Sequence, residues 1–562
     1  MKKIPYGISD YKLIKEQDYY FIDKTSFIEK IEDESRFLMF LRPRRFGKSL
    51  AISMLHYYYD VYYKDKFNDL FKDTYILKNR TKEANSYLVL KFDFSAVDTS
   101  RVEESFTINI KSTIHTFLQK YKLSLDISSE NPIDILKILF DYLQKENDKN
   151  IYILIDEYDN FSNKLLLENK TNYNKIIANK TALFKQFFTT LKSGTGMENS
   201  PIKRIFITGV TPMTSYDVTS GFNIGKNISL NPEFNDFVGV TNSELDEMIE
   251  YYKLKDIDMS LMQEWYNNYR FSEDIEHTVY NTDMALYYLD YYTRFNKSPK
   301  ELIDINVRSD YSKLRDIIYT DGKLNGNFST LNTLIAGESI SLTNLVQDFS
   351  ALNLSKEENF KSLLFYLGLI TIKDAKLQIN FKIPNETIKR IDIDFLKDSL
   401  ELENLFNIKT ARLSEHLIKF ATDGDIEVFK FLADEIKRST GIRDYIYNEQ
   451  TVKSMYLAYL SLSPYYVIKS ELELNKGFAD IFLKPLNPYV DYVGLVELKY
   501  IKRSEKLNQK KVKVFIEEAK QQVDEYAKDE LVTKFLNQGK KLRKVVLIFH
   551  GWELVESIVI DN

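Results

Sequence analysis

The stretch "LRPRRFGKSL" (41–50) carries side chains suited to a triphosphate. Lys48 would reach the terminal phosphates and Ser49 would help hold Mg²⁺. Gly47 would permit the tight backbone, while Arg44 and Arg45 would add charge. The common phosphate loop has glycine where Arg42 stands, so Gly-Lys-Ser taken alone reads equally well as a basic turn. Further on, "IYILIDEYD" (151–159) is an apolar run ending in adjacent carboxylates. Asp156 is suited to hold Mg²⁺, and Glu157 to orient and deprotonate an attacking water. A third apolar run enters "TGVTPMT", where Thr208 or Thr211 would sense the γ-phosphate.

A second set of chemical groups lies near the C-terminus, in "GFADIF" and "LVELKY". Metal-dependent phosphodiester cleavage needs carboxylates converging on Mg²⁺ and a lysine near the attacking water. Asp480, then sixteen intervening residues, then Glu497 and Lys499 supply those types. Glu497 and Lys499 are two apart, so on a strand they share a face, with Leu498 and Ile481 turned the other way toward a covering helix. Glu-x-Lys by itself is more often an exposed strand face; the order of elements around it gives it weight.

Those elements must hold the groups in place. "RFLMFL" (36–41), "SYLVLKFDFS" (86–95), "NIYILIDEY" (150–158) and "RIFITGV" (204–210) read as buried strands. Helical patterns at 47–63, 102–121, 132–146 and 180–194 alternate with them, which predicts a parallel sheet covered on both faces. The fold class expected is α/β, in three parts. A P-loop NTPase parallel-sheet domain spans 1–240, and a helical, winged-helix-like middle spans 241–440. A restriction-endonuclease-like α/β domain follows over 441–562, with helix, three strands, helix and strand in order.

The chain has 562 residues, a net charge of −5 and no cysteine. It is too long for one core, any nucleic-acid surface must be a local patch, and disulfides and Cys-based zinc sites are excluded. The absence of cysteine fits a reducing compartment, so a cytoplasmic location is expected. "MKKIPYGISDYKLIKEQDYY" lacks the apolar core of a signal peptide, and no apolar run approaches the ~18 residues of a membrane span. The basic stretch "KYIKRSEKLNQKKVKVF" (499–515) is either a phosphate-neutralising surface or a solvated loop.

Several collinear blocks carry a specific resemblance. "IPYGISDYKLIKEQDYYFIDKTSFIEKI", "LRPRRFGKSL", "ILIDEYD", "FITGVTPMTSYDVTSGFNIGKNISLNPEFNDFVGVT" and "WYNNYRF…VYN" are similar to the AAA-ATPase-like family over residues 3–290. The resemblance implies that Arg42 is that family's normal residue at this position. It also gives Asp23, Lys24 and Thr25 a nucleotide-side or structural role. Asn268 departs from the glycine usual before "YRF". Residues 445–562 resemble the PD-(D/E)XK nuclease superfamily, which implies metal binding by Asp480 and Glu497 and a water-positioning role for Lys499. Glu449 and Gln521 are further polar candidates, or surface helix residues. Arg204, Arg270 and Arg308 are candidates for an arginine acting between subunits of a homo-oligomer. The function expected is an ATP-binding and ATP-hydrolysing protein with a Mg²⁺-dependent nuclease acting on nucleic acid, DNA favoured. Its setting would be defence, mobile elements or DNA processing. The alternative is a nucleotide-switched scaffold that binds nucleic acid or protein without cutting.

Overall fold

Strand β1 (Phe37–Leu41) sits inside a parallel sheet with β2 (Leu88–Asp93), β3 (Ile151–Asp156), β4 (Ile202–Gly209) and the short β5 (Lys226–Asn227), in the order β2-β3-β4-β1-β5. The computed structural model describes residues 1–562 apart from 147–148, 161–181, 214–223, 308–318, 321–322, 325–326, 351–352, 355, 403–405, 407, 440, 442–445, 447, 476, 487 and 562. The sequence-predicted helices become α1 (Lys48–Tyr59), α2 (Val102–Tyr121), α3 (Pro132–Lys145) and α4 (Leu183–Thr195). Each of the main strands is a run of branched and aromatic residues because each is covered twice. Tyr152 of β3 meets Tyr59 of α1, and Phe92 of β2 meets Phe187 of α4. Phe92 pairs with Ile155, three residues from Tyr152, so α1 and α4 cover opposite faces.

This strand order creates the site. The chain leaves β1 for the far edge at β2, returns through β3 to β4, and then crosses to β5. The reversal falls between β1 and β4, and ligands bind beyond the carboxyl ends of parallel strands at such a switch point. Both the phosphate loop and Asp156 leave the sheet at that end.

The chain divides into two compact units, and the helical middle is shared between them. One unit comprises residues 1–313 with 341–387, the other 314–340 with 388–562. The first also contains α5 (Thr282–Phe295) and α6 (Glu357–Tyr366), the latter followed by an antiparallel hairpin, β6 (Thr371–Ala375) and β7 (Ile379–Lys382). This is the helix–strand–turn–strand run expected of the winged-helix-like segment. The second unit is built on β8 (Tyr466–Leu474), β9 (Gly477–Pro485), β10 (Tyr492–Ile501), β11 (Lys541–His550) and β12 (Glu553–Ile560), hydrogen-bonded in chain order. Only β10 and β11 run parallel, joined by α8 (Gln509–Tyr526) and α9 (Glu530–Asn537); α7 (Glu449–Leu460) precedes the sheet. Ile481, Val496 and Leu498 pack with Val452 and Met455 of α7. Val546 and Ile548 pack with Val512, Ala519 and Val523 of α8. Helix α9 and strand β12 were not read from the sequence. Strand β12, "ELVESIVI", is an edge strand whose side chains are mostly half-buried, so its pattern is diluted. Among the described residues no helix is long and apolar enough to cross a membrane.

Candidate active sites

The phosphate loop is held by its neighbours rather than by the missing glycine. Arg42 is buried, and its guanidinium lies 4.5 Å from the ring centre of Phe40 and 4.3 Å from that of Phe271. It donates to the carbonyls of Leu41 (2.9 Å), Ser229 (2.5 Å) and Phe234 (3.0 Å). Burial presses its pKa down to about 9, against the pull of Asp236. Arg42 thus ties β1 to the β5 turn and faces away from phosphate chemistry. Restoring the common residue with Arg42→Gly should therefore destabilise this unit, not improve it. Each buried carbonyl left without a donor costs ~1–3 kcal/mol. Phe234 O keeps the N–H of Phe237, so Leu41 O and Ser229 O set an expected loss of about 2 kcal/mol or more, checked by the urea midpoint.

Beyond Arg42 the loop turns at Arg45 (φ +69°) and Gly47 (φ +99°). Carbonyls that would otherwise point at an anion are taken up from outside. Thr282 Oγ1 donates to Phe46 O at 2.8 Å, Asp283 N to Arg45 O at 3.2 Å and Asn281 Nδ2 to Arg44 O at 3.4 Å. Asn281 also caps α5, accepting from Met284 N. The loop opens on a cavity of about 540 Å³ lined by Arg44, Arg45, Lys48, Ser49, Glu157 and Asn160, a volume normal for a small-molecule site. Lys48 is buried and donates to Pro43 O at 2.9 Å. Burial lowers its pKa, while Glu157, Asp156 and Asp159 pull the other way.

The acidic side of the cleft comes from the ends of β3 and β4. Asp156 is buried and accepts from the Thr208 hydroxyl (2.7 Å) and from Glu157 N (3.0 Å). Thr208 is buried, with its hydroxyl proton directed at Asp156. Thr211 is likewise bound, its N–H and hydroxyl both directed at Asp159 Oδ2. Gly209 lies so close to Tyr158 and Asp159 that a Cβ would fall 2.4 Å from the Tyr158 ring. Glu157 adopts φ +50°, a strained conformation for this residue. Its carboxylate accepts from Asn160 Nδ2 at 2.6 Å. Burial raises its pKa, partly offset by Lys48, with Asp156 adding to the rise and Arg44 opposing it. The left-handed turns, the cationic rim and the carboxylate pair fit a nucleoside triphosphate with Mg²⁺. Lys48, Arg44 and Arg45 would hold the phosphates, and Ser49 and Asp156 the metal.

Other expected groups serve structure. Asp23 accepts from Thr25 and from Tyr75 N, and Lys24 bonds Glu244 and Asp236 O. Arg204 pairs with both oxygens of Glu83 at 2.7 Å, near the start of β4 and away from the cleft end. Arg270 donates to Ser272 O and Glu273 O, and Arg308 lies outside the described residues. Asn268 takes the positive φ, +74°, that a glycine would adopt without strain.

In the second unit, the pairing of β9 with β10 runs from Leu483–Gly494 to Ile481–Val496. One residue further, Asp480 Oδ2 accepts from Leu498 N at 2.8 Å. Glu497 and Lys499 share a face, with Lys499 Nζ 2.9 Å from Glu497 Oε1. Glu497 Oε2 is buried with no hydrogen-bond partner. Burial, then the charge of Asp480, pushes the Glu497 pKa up to about 7, with Lys499 opposing. Glu449 is also raised, by burial and Asp480. Lys499 is raised despite burial, chiefly by Glu497. The sequence reading missed Lys453, whose ammonium donates to Asp480 Oδ1 at 3.1 Å and to Glu471. Its signal was the four-residue step from Glu449. Gln521 is exposed, whereas the Oε1 of Gln522 is buried without a partner, so the inward position is one residue on.

Among the described residues no group of three or more His, Cys, Asp or Glu is gathered to hold a metal ion; here two lysines occupy carboxylate oxygens. The orphaned Glu497 Oε2 beside Asp480 nevertheless fits a hard divalent cation, which takes carboxylate oxygens. When bound, such an ion would polarise the phosphate and acidify water.

A parallel sheet with this loop, joined to a mixed sheet with Asp, Glu and Lys at a strand fork, defines an NTPase-like domain and a nuclease-like domain on one chain. Residues 5–219 match the family model described as a predicted AAA-ATPase, and residues 447–557 match that of the PD-(D/E)XK nuclease superfamily. The chain is also 24% identical over 288 residues to an "uncharacterized protein in vnfD 5'region" of Azotobacter chroococcum mcd 1. That match covers 50% of each protein, so the chain spans about half the length of this curated relative.

Proposed function

We propose that this cytoplasmic protein binds and hydrolyses ATP with Mg²⁺ at the β1–β3 cleft and cuts DNA with Mg²⁺ at Asp480, Glu497 and Lys499, nucleotide state governing cutting. The observation that carries the nuclease half is Glu497, buried, with one oxygen on Lys499 and the other unpartnered beside Asp480. Lys499 orients a water whose oxygen bonds to phosphorus as its proton passes to bulk water; the P–O bond to the leaving oxygen breaks and that oxygen takes a proton from solvent. Lys502, Lys506, Lys510 and Lys513 are exposed just after β10 and supply a phosphate-neutralising surface, so binding should weaken with salt. A homo-oligomer acting in defence, mobile-element or DNA-processing systems accords with this chemistry.

The test is supercoiled and linear DNA incubated with Mg²⁺, with and without ATP. Wild type should cut, and Lys499→Ala, folded by circular dichroism, should cut at least ~10²-fold more slowly. Wild type that binds DNA but leaves every DNA and RNA substrate whole would replace this reading with a nucleotide-switched scaffold.

A further inference from the structure

The charges around Asp480 do not suit two divalent ions. Glu449, Glu471, Asp480 and Glu497 face the ammonium groups of Lys453 and Lys499. Four carboxylates against two ammonium groups leave a formal charge of −2 when all are ionised. One divalent ion cancels that charge, and a second would overshoot it.

The position of Lys453 is built, not incidental. It follows Glu449 by four residues on α7, so both side chains project from one helix face. It is 4% exposed, and its Nζ lies between Asp480 Oδ1 and Glu471 Oε1. Strands β8 and β9 pair Ser470 with Ile481 and Leu472 with Ala479. Between those pairs Glu471 takes φ +48°, a left-handed conformation inside a strand. Backbone strain of this kind persists where surrounding contacts enforce it, and here it accompanies a carboxylate aimed at a lysine. Meanwhile Glu497, 3% exposed, keeps Oε2 open.

We infer that the Lys453 ammonium takes the Asp480 oxygen that a second divalent ion would need, so that this site takes one metal ion, which Asp480 and Glu497 would hold. The inference rests on the nuclease reading of the site and fixes its metal count. Lys453 is a positioning residue: it holds Asp480 and neutralises Glu471 without touching substrate.

Mn²⁺ titration of the full-length protein without nucleotide, read by the electron paramagnetic resonance of free Mn²⁺, counts the ions. Those lost on Glu497→Gln belong to this site. Wild type should show one such ion. Lys453→Met should show two, and Lys453→Arg, which keeps the charge, one. Two Glu497-dependent ions in wild type, none, or one unchanged in a folded Lys453→Met protein would overturn the inference. Should Lys453→Met fail to fold, the wild-type count still decides. One ion without DNA cleavage would sink the nuclease reading and leave the Lys453 assignment standing.

Discussion

Glu157→Gln is expected to bind ATP as wild type does while turning it over ~10²–10⁴ times more slowly, the span that general-base catalysis contributes. The substitution keeps the size of the side chain and an oxygen that can accept from Asn160, but removes the group able to take a proton from water. Because burial raises the Glu157 pKa, with Lys48 as the main opposing charge, the carboxylate is a stronger base than an exposed glutamate. Bound phosphate would draw Lys48 from Pro43 O and change that balance at the moment of reaction. Lys48→Ala should behave differently, losing ATP binding itself, since its ammonium is the buried cation at the mouth of the loop. Equilibrium binding of a fluorescent ATP analogue and steady-state phosphate release separate the two. If Glu157→Gln turned over at the wild-type rate, Glu157 could not be the base and the β3 carboxylates would need other roles.

The parts legible in the sequence are those whose pattern is local. Phosphate loop, β3 and β10 are each a continuous apolar run followed or interrupted by charge, and the periodicity of a strand places Glu497 beside Lys499 without further information. The parts that were not legible depend on pairings distant in sequence. Arg42 reads only as a departure from the loop's usual glycine, because its partners Ser229, Phe234 and Phe271 come from segments nearly two hundred or more residues away. Thr208 reads as a γ-phosphate sensor because it ends a strand, but the parallel register brings its hydroxyl to Asp156. The capping of α5 by Asn281 was visible only as the last letter of a family block. Lys453 was hidden because a lysine on an apolar helix ordinarily marks the solvent face, whereas α7 is buried along nearly its whole length.

The pH response of the second site follows from Glu497. Its carboxyl, with an ordinary pKa of 4.5, is carried to about 7 by burial first and Asp480 second. Between about 4.5 and about 7 the folded chain therefore holds a proton that the unfolded chain has released. Over that window this group costs stability as pH rises. A divalent ion at Glu497 reverses the sign: it must displace the proton below pH ~7, and above that pH it meets a carboxylate already ionised. The apparent Mn²⁺ dissociation constant, measured without nucleotide, should thus rise ~tenfold for each pH unit below 7 and level off above it. The thermal stabilisation by Mn²⁺ should be larger at pH 8 than at pH 6. Glu497→Gln should lose this Mn²⁺ ion, and with it the pH dependence and DNA cleavage, because an amide neither titrates nor offers a charged ligand. Equal Mn²⁺ affinity at pH 6 and pH 8 in the wild-type protein would mean that Glu497 is already ionised in the folded state. The unpartnered oxygen would then no longer mark it as the metal-binding carboxylate.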